Sequence, residues 1–159
     1  MTVEKSCLGI RILGIVGSMR KGRNTFLVVN AVLKAAEKVF KDVKTKIVYV
    51  SDFDIGSCKA CYDECSLTPY KCVIKDDLQK IFEEMINAYA VVLGSSRYFL
   101  IPSKFVAFAE RLACLSYFTE QRHPGFKHPL EDKPCGLVAV SGGDDVKPVL
   151  RYLQDFALC

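Results

Sequence analysis

Short apolar runs rich in β-branched residues recur along this chain, and a helix-length segment follows each of them. The runs are IRILGIVG (10–17), KIVYV (46–50), YAVVLGS (89–95) and CGLVAVS (135–141). Each has the length and composition of a strand buried on both faces of a parallel sheet. Residues 25–40, TFLVVNAVLKAAEKVF, are too long for a strand and carry an apolar face broad enough to lie against a sheet. In residues 76–88, DDLQKIFEEMINA, the positions Leu78, Ile81, Phe82 and Met85 recur at helical spacing behind two acids suited to a helix start. A third helix is expected from near Pro102 through FVAFAERLACLSYF, and a last one over roughly 145–158. Strand–helix alternation of this kind predicts an α/β fold, an open parallel sheet with helices on both faces.

Length and composition narrow the class further. The 159 residues suit one domain, 1–159, with a core of ordinary size, and no repeat or linker divides them. Half of the residues are hydrophobic, a quarter are charged and the net charge is +4, with the basic residues scattered. That pattern calls for neither nucleic acid nor an acidic membrane surface. No run is long enough to span a bilayer. The N-terminal stretch LGIRILGIVGS contains Arg11 and leads into a turn, so it reads as a strand and not as a signal peptide. A cytoplasmic location is therefore expected, where thiols stay reduced, and eight cysteines then point to metal or redox work before structural disulfides.

Ligands of such sheets bind beyond the carboxyl ends of the strands, which singles out three loops. The first, Gly17-Ser-Met-Arg-Lys-Gly-Arg-Asn-Thr25, matches neither the P-loop nor the dinucleotide fingerprint. It still offers a phosphate monoester the hydroxyls of Ser18 and Thr25, the Asn24 amide, Arg20 and the N–H groups of a helix start. The plainer alternative is that Asn24 caps the helix while the cations face water. The second loop, Gly94 to Ser103, carries Ser96, Arg97, Tyr98 and Phe99, which can offer donors and rings to a heteroaromatic ligand or simply cover the core rim. The third, Ser141-Gly142-Gly143, lets backbone approach a flat ligand closely, or forms a plain turn. Together the three loops suit flavin mononucleotide (FMN).

Four cysteines crowd into CKACYDECSLTPYKC, a stretch read as a loop. Cys58, Cys61, Cys65 and Cys72 follow C-x2-C-x3-C-x6-C, and four close thiolates can wrap an iron–sulfur cubane. Structural zinc normally pairs two tight knuckles, and only Cys58 and Cys61 form one here. A redox pair at Cys58 and Cys61, or unligated thiols, are the remaining readings. Cys7, Cys114, Cys135 and Cys159 read as packing residues or as incidental. His123 and His128 read as solvated loop residues, Asp76 and Asp77 as helix caps, and Arg111 as one half of a surface or interface ion pair.

The segments GSMRKGRNT, the cysteine run with CVIKDDL, VVLGSSRYF with SKFVAFAERL, and VSGGDD occur here in the order seen in one family. The chain resembles the NADPH-dependent FMN reductase family over residues 10 to about 155, and is most similar to its iron–sulfur flavoprotein branch. The resemblance implies a flavodoxin-like sheet, with FMN phosphate held by Ser18, Arg20, Asn24 and Thr25. It implies an isoalloxazine ring lined by Ser96, Arg97, Tyr98, Phe99, Ser141, Gly142 and Gly143. Cys58, Cys61, Cys65 and Cys72 would hold a [4Fe-4S] cluster, although the branch usually has two residues where three separate Cys61 from Cys65. Family members also commonly have Pro at the place of Ser96, an apolar residue at Arg97 and Gly at Leu100, and the leucine narrows access to the ring. Their chains continue after the last helix into a fifth strand, which this sequence lacks before Cys159; either the chain is cut short or a partner chain covers that sheet edge.

The function so implied is an FMN-dependent oxidoreductase that passes electrons between FMN and either the cluster or NAD(P)H. A redox carrier such as ferredoxin would be its partner, and a homodimer or homotetramer its assembly. FMN supplies the chemistry, so no catalytic side chain is required. Two alternatives stay open: a cluster-free NAD(P)H:FMN or quinone reductase, and a non-enzymatic electron carrier or metal-binding module.

Overall fold

A computed structural model describes residues 9–158. Four parallel strands, β1 (Arg11–Val16), β2 (Lys44–Tyr49), β3 (Ala90–Ser96) and β4 (Cys135–Val140), lie side by side in the order β2-β1-β3-β4. Five helices complete the chain: α1 (Asn24–Val39), α2 (Tyr62–Leu67), α3 (Leu78–Ile86), α4 (Ser103–Arg122) and α5 (Lys147–Ala157). This is the open parallel sheet that the alternation predicts, with the flavodoxin-like order that the resemblance implies and with no fifth strand among the described residues.

Side-chain alternation along each strand divides the core in two. On β1, Ile12 and Val16 face α1, and on β3 Val92 does the same, packing with Val29 and Leu33. Leu13, Ile15, Val91 and Leu93 point to the opposite face, under α3, α4 and α5. That face carries the larger core. Phe105, Phe108, Leu112 and Leu115 form the apolar stripe of α4, and Phe156 of α5 meets Phe105 and Phe108 at 6.3 and 5.8 Å between ring centroids. Burying a phenylalanine in such a cluster contributes about 3–5 kcal/mol, judged by what its truncation costs.

Two local differences from the sequence reading have identifiable causes. The helix expected over 76–88 begins only at Leu78, with Asp77 at its cap position making no side-chain bond to the helix start. Asp77 accepts the Asp54 N–H at 2.8 Å, and Asp76 accepts the N–H groups of Gly56 and Leu78 at 3.0 and 3.1 Å. The Leu78 bond is a cap, supplied by Asp76 from one residue ahead of the cap position. The cysteine stretch, read as a loop, contains α2, which lies against α4 with Cys65 and Ser66 buried. The Ser66 hydroxyl donates to the Asp63 carbonyl and accepts from Arg122 at 2.8 Å, while the Tyr70 N–H donates to the Thr119 hydroxyl. Tertiary contacts hold this short helix, since six residues are too few to be stable alone.

Candidate functional site

The strand order puts β1 beside β3 and β3 beside β4, so the loops leaving the carboxyl ends of these three strands are neighbours. The chain turns to β2 on one side of β1 and to β3 on the other, which makes this the switch point where such sheets bind ligands. Backbone contacts tie the loops together. The Gly17 N–H donates to the Gly94 carbonyl at 2.7 Å, and the Arg97 N–H donates to the Val140 carbonyl at the same distance. Close packing demands glycine at both ends of the first contact. A Cβ on Gly17 would stand 2.4 Å from the Phe105 ring, and one on Gly94 2.4 Å from a Val29 methyl.

In the first loop Ser18 and Thr25 are buried, while Arg20 and Asn24 are exposed. The residue before α1 is Arg23, and no side chain caps the helix start. Asn24 is thus the first helical residue and not the cap. The N–H groups of the first turn remain available, and two hydroxyls lie at the same end. Lys21 leaves the group: it pairs with Asp52 and lies 5.9 Å from the centre of the Tyr49 ring. Arg20 is the cation from the predicted set that stays at this loop, and its own N–H donates to the Ser18 hydroxyl at 3.3 Å.

The second loop presents Tyr98 and Phe99 to solvent, Phe99 with 93% of its surface exposed. Phe99 has φ of +57° at the tip of a tight turn bridged between Tyr98 and Leu100, a costly conformation for an aromatic residue. Arg97 points away from this tip. Its guanidinium donates to the Asp145 carbonyl and stands 3.9 Å from the Asp144 carboxylate, binding the second loop to the third. Its Nε is buried without a hydrogen-bond partner among the described residues. In the third loop the Ser141 hydroxyl accepts the Asp144 N–H at 2.9 Å, and above Gly142 there is open space. Ser18, Thr25, the uncapped α1 start and the open glycine shelf are features that FMN needs: donors for a phosphate and bare backbone for a flat ring.

The cysteine stretch forms a separate neighbourhood on α4. Cys65 is buried, and burial, followed by the nearby Cys61, Cys72 and Cys58 thiols, pushes its thiol up to about 12. The three-residue gap is taken up as one turn of α2, with the Cys65 N–H donating to the Cys61 carbonyl at 3.2 Å. The Cys58, Cys61 and Cys72 thiols lie near enough to act on Cys65, but among the described residues no group of three or more His, Cys, Asp or Glu side chains stands where it could hold a metal ion. As placed, these donors do not fit a cluster.

Arg111 holds this neighbourhood in place, and the expectation of a surface or interface pair is corrected. It is 1% exposed, bonded to the Asp76 carboxylate and donating to the Gly56 carbonyl at 3.1 Å. Burial pushes Asp76 up, but the bonds from Arg111, Gly56 and Leu78 outweigh it and hold the carboxyl below its usual range. Arg111 lies at helical spacing from Phe108 and Leu115, and an arginine on an apolar stripe is the sequence signal that could have placed it. The histidines are half-buried, and each has hydrogen-bonding partners. His123 Nε2 stands 3.1 Å from the Ser66 carbonyl, and His128 accepts the Leu130 N–H at Nδ1. His128 Nε2 stands 2.6 Å from the Ser116 hydroxyl, which donates to the Leu112 carbonyl at 3.1 Å. Cys135 is exposed and Cys114 half-buried, while Cys7 and Cys159 lie outside the described residues.

The sequence profile of the NADPH-dependent FMN reductases matches residues 10–154, from β1 into α5. The chain belongs to the NADPH-dependent FMN reductase family. It is 34% identical over 89 residues to an iron–sulfur flavoprotein of Methanosarcina thermophila, covering 56% of this chain and 44% of that protein. An iron–sulfur flavoprotein of Methanocaldococcus jannaschii is 32% identical over 153 residues, covering 94% of this chain and 72% of that protein. The chain thus spans less than half the length of the first relative and about three-quarters of the second. Among solved structures, RosB with a bound 8-demethyl-8-formylriboflavin-5'-phosphate superposes with a TM-score of 0.65 at 16% identity, over 94% of this chain and 58% of that one. At that identity the superposition shows the shared fold. Among the described residues no helix is long and apolar enough to cross a membrane.

Proposed function

We propose that the protein is an FMN-dependent oxidoreductase of the NAD(P)H:FMN or quinone reductase kind, working without a metal cluster. The observation that carries this reading is the adjacency of the three loops after β1, β3 and β4, with buried hydroxyls and an uncapped helix start in the first. Ser18, Asn24, Thr25 and the first N–H groups of α1 bind the phosphate, and Arg20 offsets its charge. Gly142 and Gly143 accept one face of the ring, Ser96 lies at its edge, and Tyr98 and Phe99 close over it to exclude water. Arg97, tied to Asp144 and Asp145, fixes the ring loop against the glycine loop. When bound, FMN supplies hydride exchange at its N5, and the chain positions and shields it. NAD(P)H is the donor this reading requires. A homodimer or homotetramer is its expected assembly, supported by the exposed Tyr98, Phe99 and Leu100 at the rim of the site.

A second reading is an iron–sulfur electron-transfer protein working with a carrier such as ferredoxin. It is favoured by the names of the relatives and by the convergence of Cys58, Cys61 and Cys72 on Cys65. Anaerobic purification with an absorbance spectrum and analysis for iron and acid-labile sulfide separates the two. Flavin bands without sulfide, together with NAD(P)H oxidation, support the first reading. Stoichiometric sulfide lost on Cys61→Ser supports the second, and absence of flavin bands after FMN addition rejects both.

A further inference from the structure

A cavity of about 680 Å³ lies at the opposite end of the sheet from the three loops, lined by Val91 and Cys135, which pair at the amino ends of β3 and β4. Phe82 and Met85 of α3, Leu112 of α4 and Phe156 of α5 form its walls, and the segment from Gly125 to Lys133 adds Phe126. That segment is tied down by Lys133, whose amine donates to the Ile86 and Ala88 carbonyls. The volume is that of pockets that enclose a small molecule. Apolar walls around a void forfeit dispersion contacts and give water too few polar partners, so an apolar occupant is favoured. Three phenylalanine rings and a thioether suit a flat aromatic body. Charge narrows the class further. Lys133 is committed to two carbonyls, while the exposed Glu131 and Asp132 also line the cavity and disfavour an anion. The polar spot on the wall is Ser116, which is buried, donates to the Leu112 carbonyl at 3.1 Å and stands 2.6 Å from His128 Nε2. A hydroxyl has two acceptor sites and the histidine takes one at most, which leaves one for a donor on the ligand.

We propose that this cavity is a second binding site, for an uncharged aromatic molecule that carries one O–H or N–H donor, as a phenol does. The ring lies among Phe82, Met85, Phe126 and Phe156, and the donor reaches the Ser116 hydroxyl. Binding here needs neither flavin nor metal and uses none of the loops after β1, β3 and β4, so it stands apart from the function proposed above.

The test titrates the purified full chain with N-phenyl-1-naphthylamine, whose fluorescence rises in apolar surroundings, and then displaces it. Saturable binding is expected, with displacement by 1-naphthol at least about tenfold stronger than by 1-naphthoate, which has the same rings and a carboxylate. Cys135 is exposed in the empty protein, so its alkylation, mapped by mass spectrometry, should fall in proportion to 1-naphthol occupancy while that of Cys58 is unchanged. Ala113 also lines the cavity, and Ala113→Phe should abolish probe binding by filling it. Ser116→Ala should weaken 1-naphthol and leave 1-methoxynaphthalene, which has no donor, as in wild type. No saturable binding, equal displacement by naphthol and naphthoate, or unchanged Cys135 alkylation overturns the proposal. A dimer in which Cys135 is protected before any ligand is added also overturns it, since a second copy then fills the mouth. The wild-type measurements decide even where a variant folds poorly.

Discussion

The loops at the carboxyl ends of the strands and the cysteine stretch on α4 are built by opposite means. The loops are positioned by the sheet itself: backbone bonds join Gly17 to Gly94 and Arg97 to Val140, and their tips, Tyr98 and Phe99, face outward. The cysteine stretch has no sheet to follow. It is drawn onto α4 by the buried Arg111, which holds Gly56 at its start and Asp76 at its end. A register-built site keeps its shape while its side chains vary; a clamped one depends on a single ion pair.

That contrast predicts unequal responses to substitution. Arg111→Ala leaves the Asp76 carboxylate buried without its partner and should cost about 3–5 kcal/mol. It should also open Cys65 to alkylation at neutral pH, measured by denaturant unfolding and by thiol labelling. If Cys65 stays protected in a folded variant, the clamp account fails. Gly94→Ala should cost less, about 1–3 kcal/mol, because its Cβ must displace Val29 beside Thr25. Its thermal transition should fall while Cys65 labelling stays as in wild type.

The pH response separates the regions further. Asp76 titrates below its usual range in the folded protein, so its stabilisation is present above the unfolded value of about 3.9 and disappears as pH falls through the folded value. Asp76→Asn should lower stability at neutral pH and flatten the acid limb of the stability curve. Parallel acid limbs for variant and wild type would show that Asp76 is not held this way. The smallest effect is expected at Ser66→Ala, which removes the hydroxyl bridging Asp63 and Arg122 and should cost about 0.5–1.5 kcal/mol. A loss as large as that of Arg111→Ala would mean that the docking of α2, and not the ion pair, holds the stretch.

The two regions were unequally legible in the sequence. Apolar period and length placed β1 to β4 and the long helices to within a few residues, because burial on both faces leaves a strong one-dimensional trace. The place of the loop from Gly17 to Thr25 is legible for the same reason, being fixed by the strand before it and the helix after it. The partners of Arg97 and Arg111 were not, since Asp144 and Asp76 meet them only once the chain has folded. Helix α2 is not legible because six residues give no periodic signal.

The central claim is that the loop from Gly17 to Thr25 binds the phosphate of FMN. Titrating the purified protein with FMN and with riboflavin, followed by flavin fluorescence, tests it most directly. The account predicts that FMN binds at least about tenfold more tightly, as expected for charge-assisted bonds of about 1.5–3 kcal/mol, and that the Ser18→Ala, Thr25→Ala double variant narrows the gap. Equal affinities for the two flavins, or a gap untouched by that variant, would contradict it.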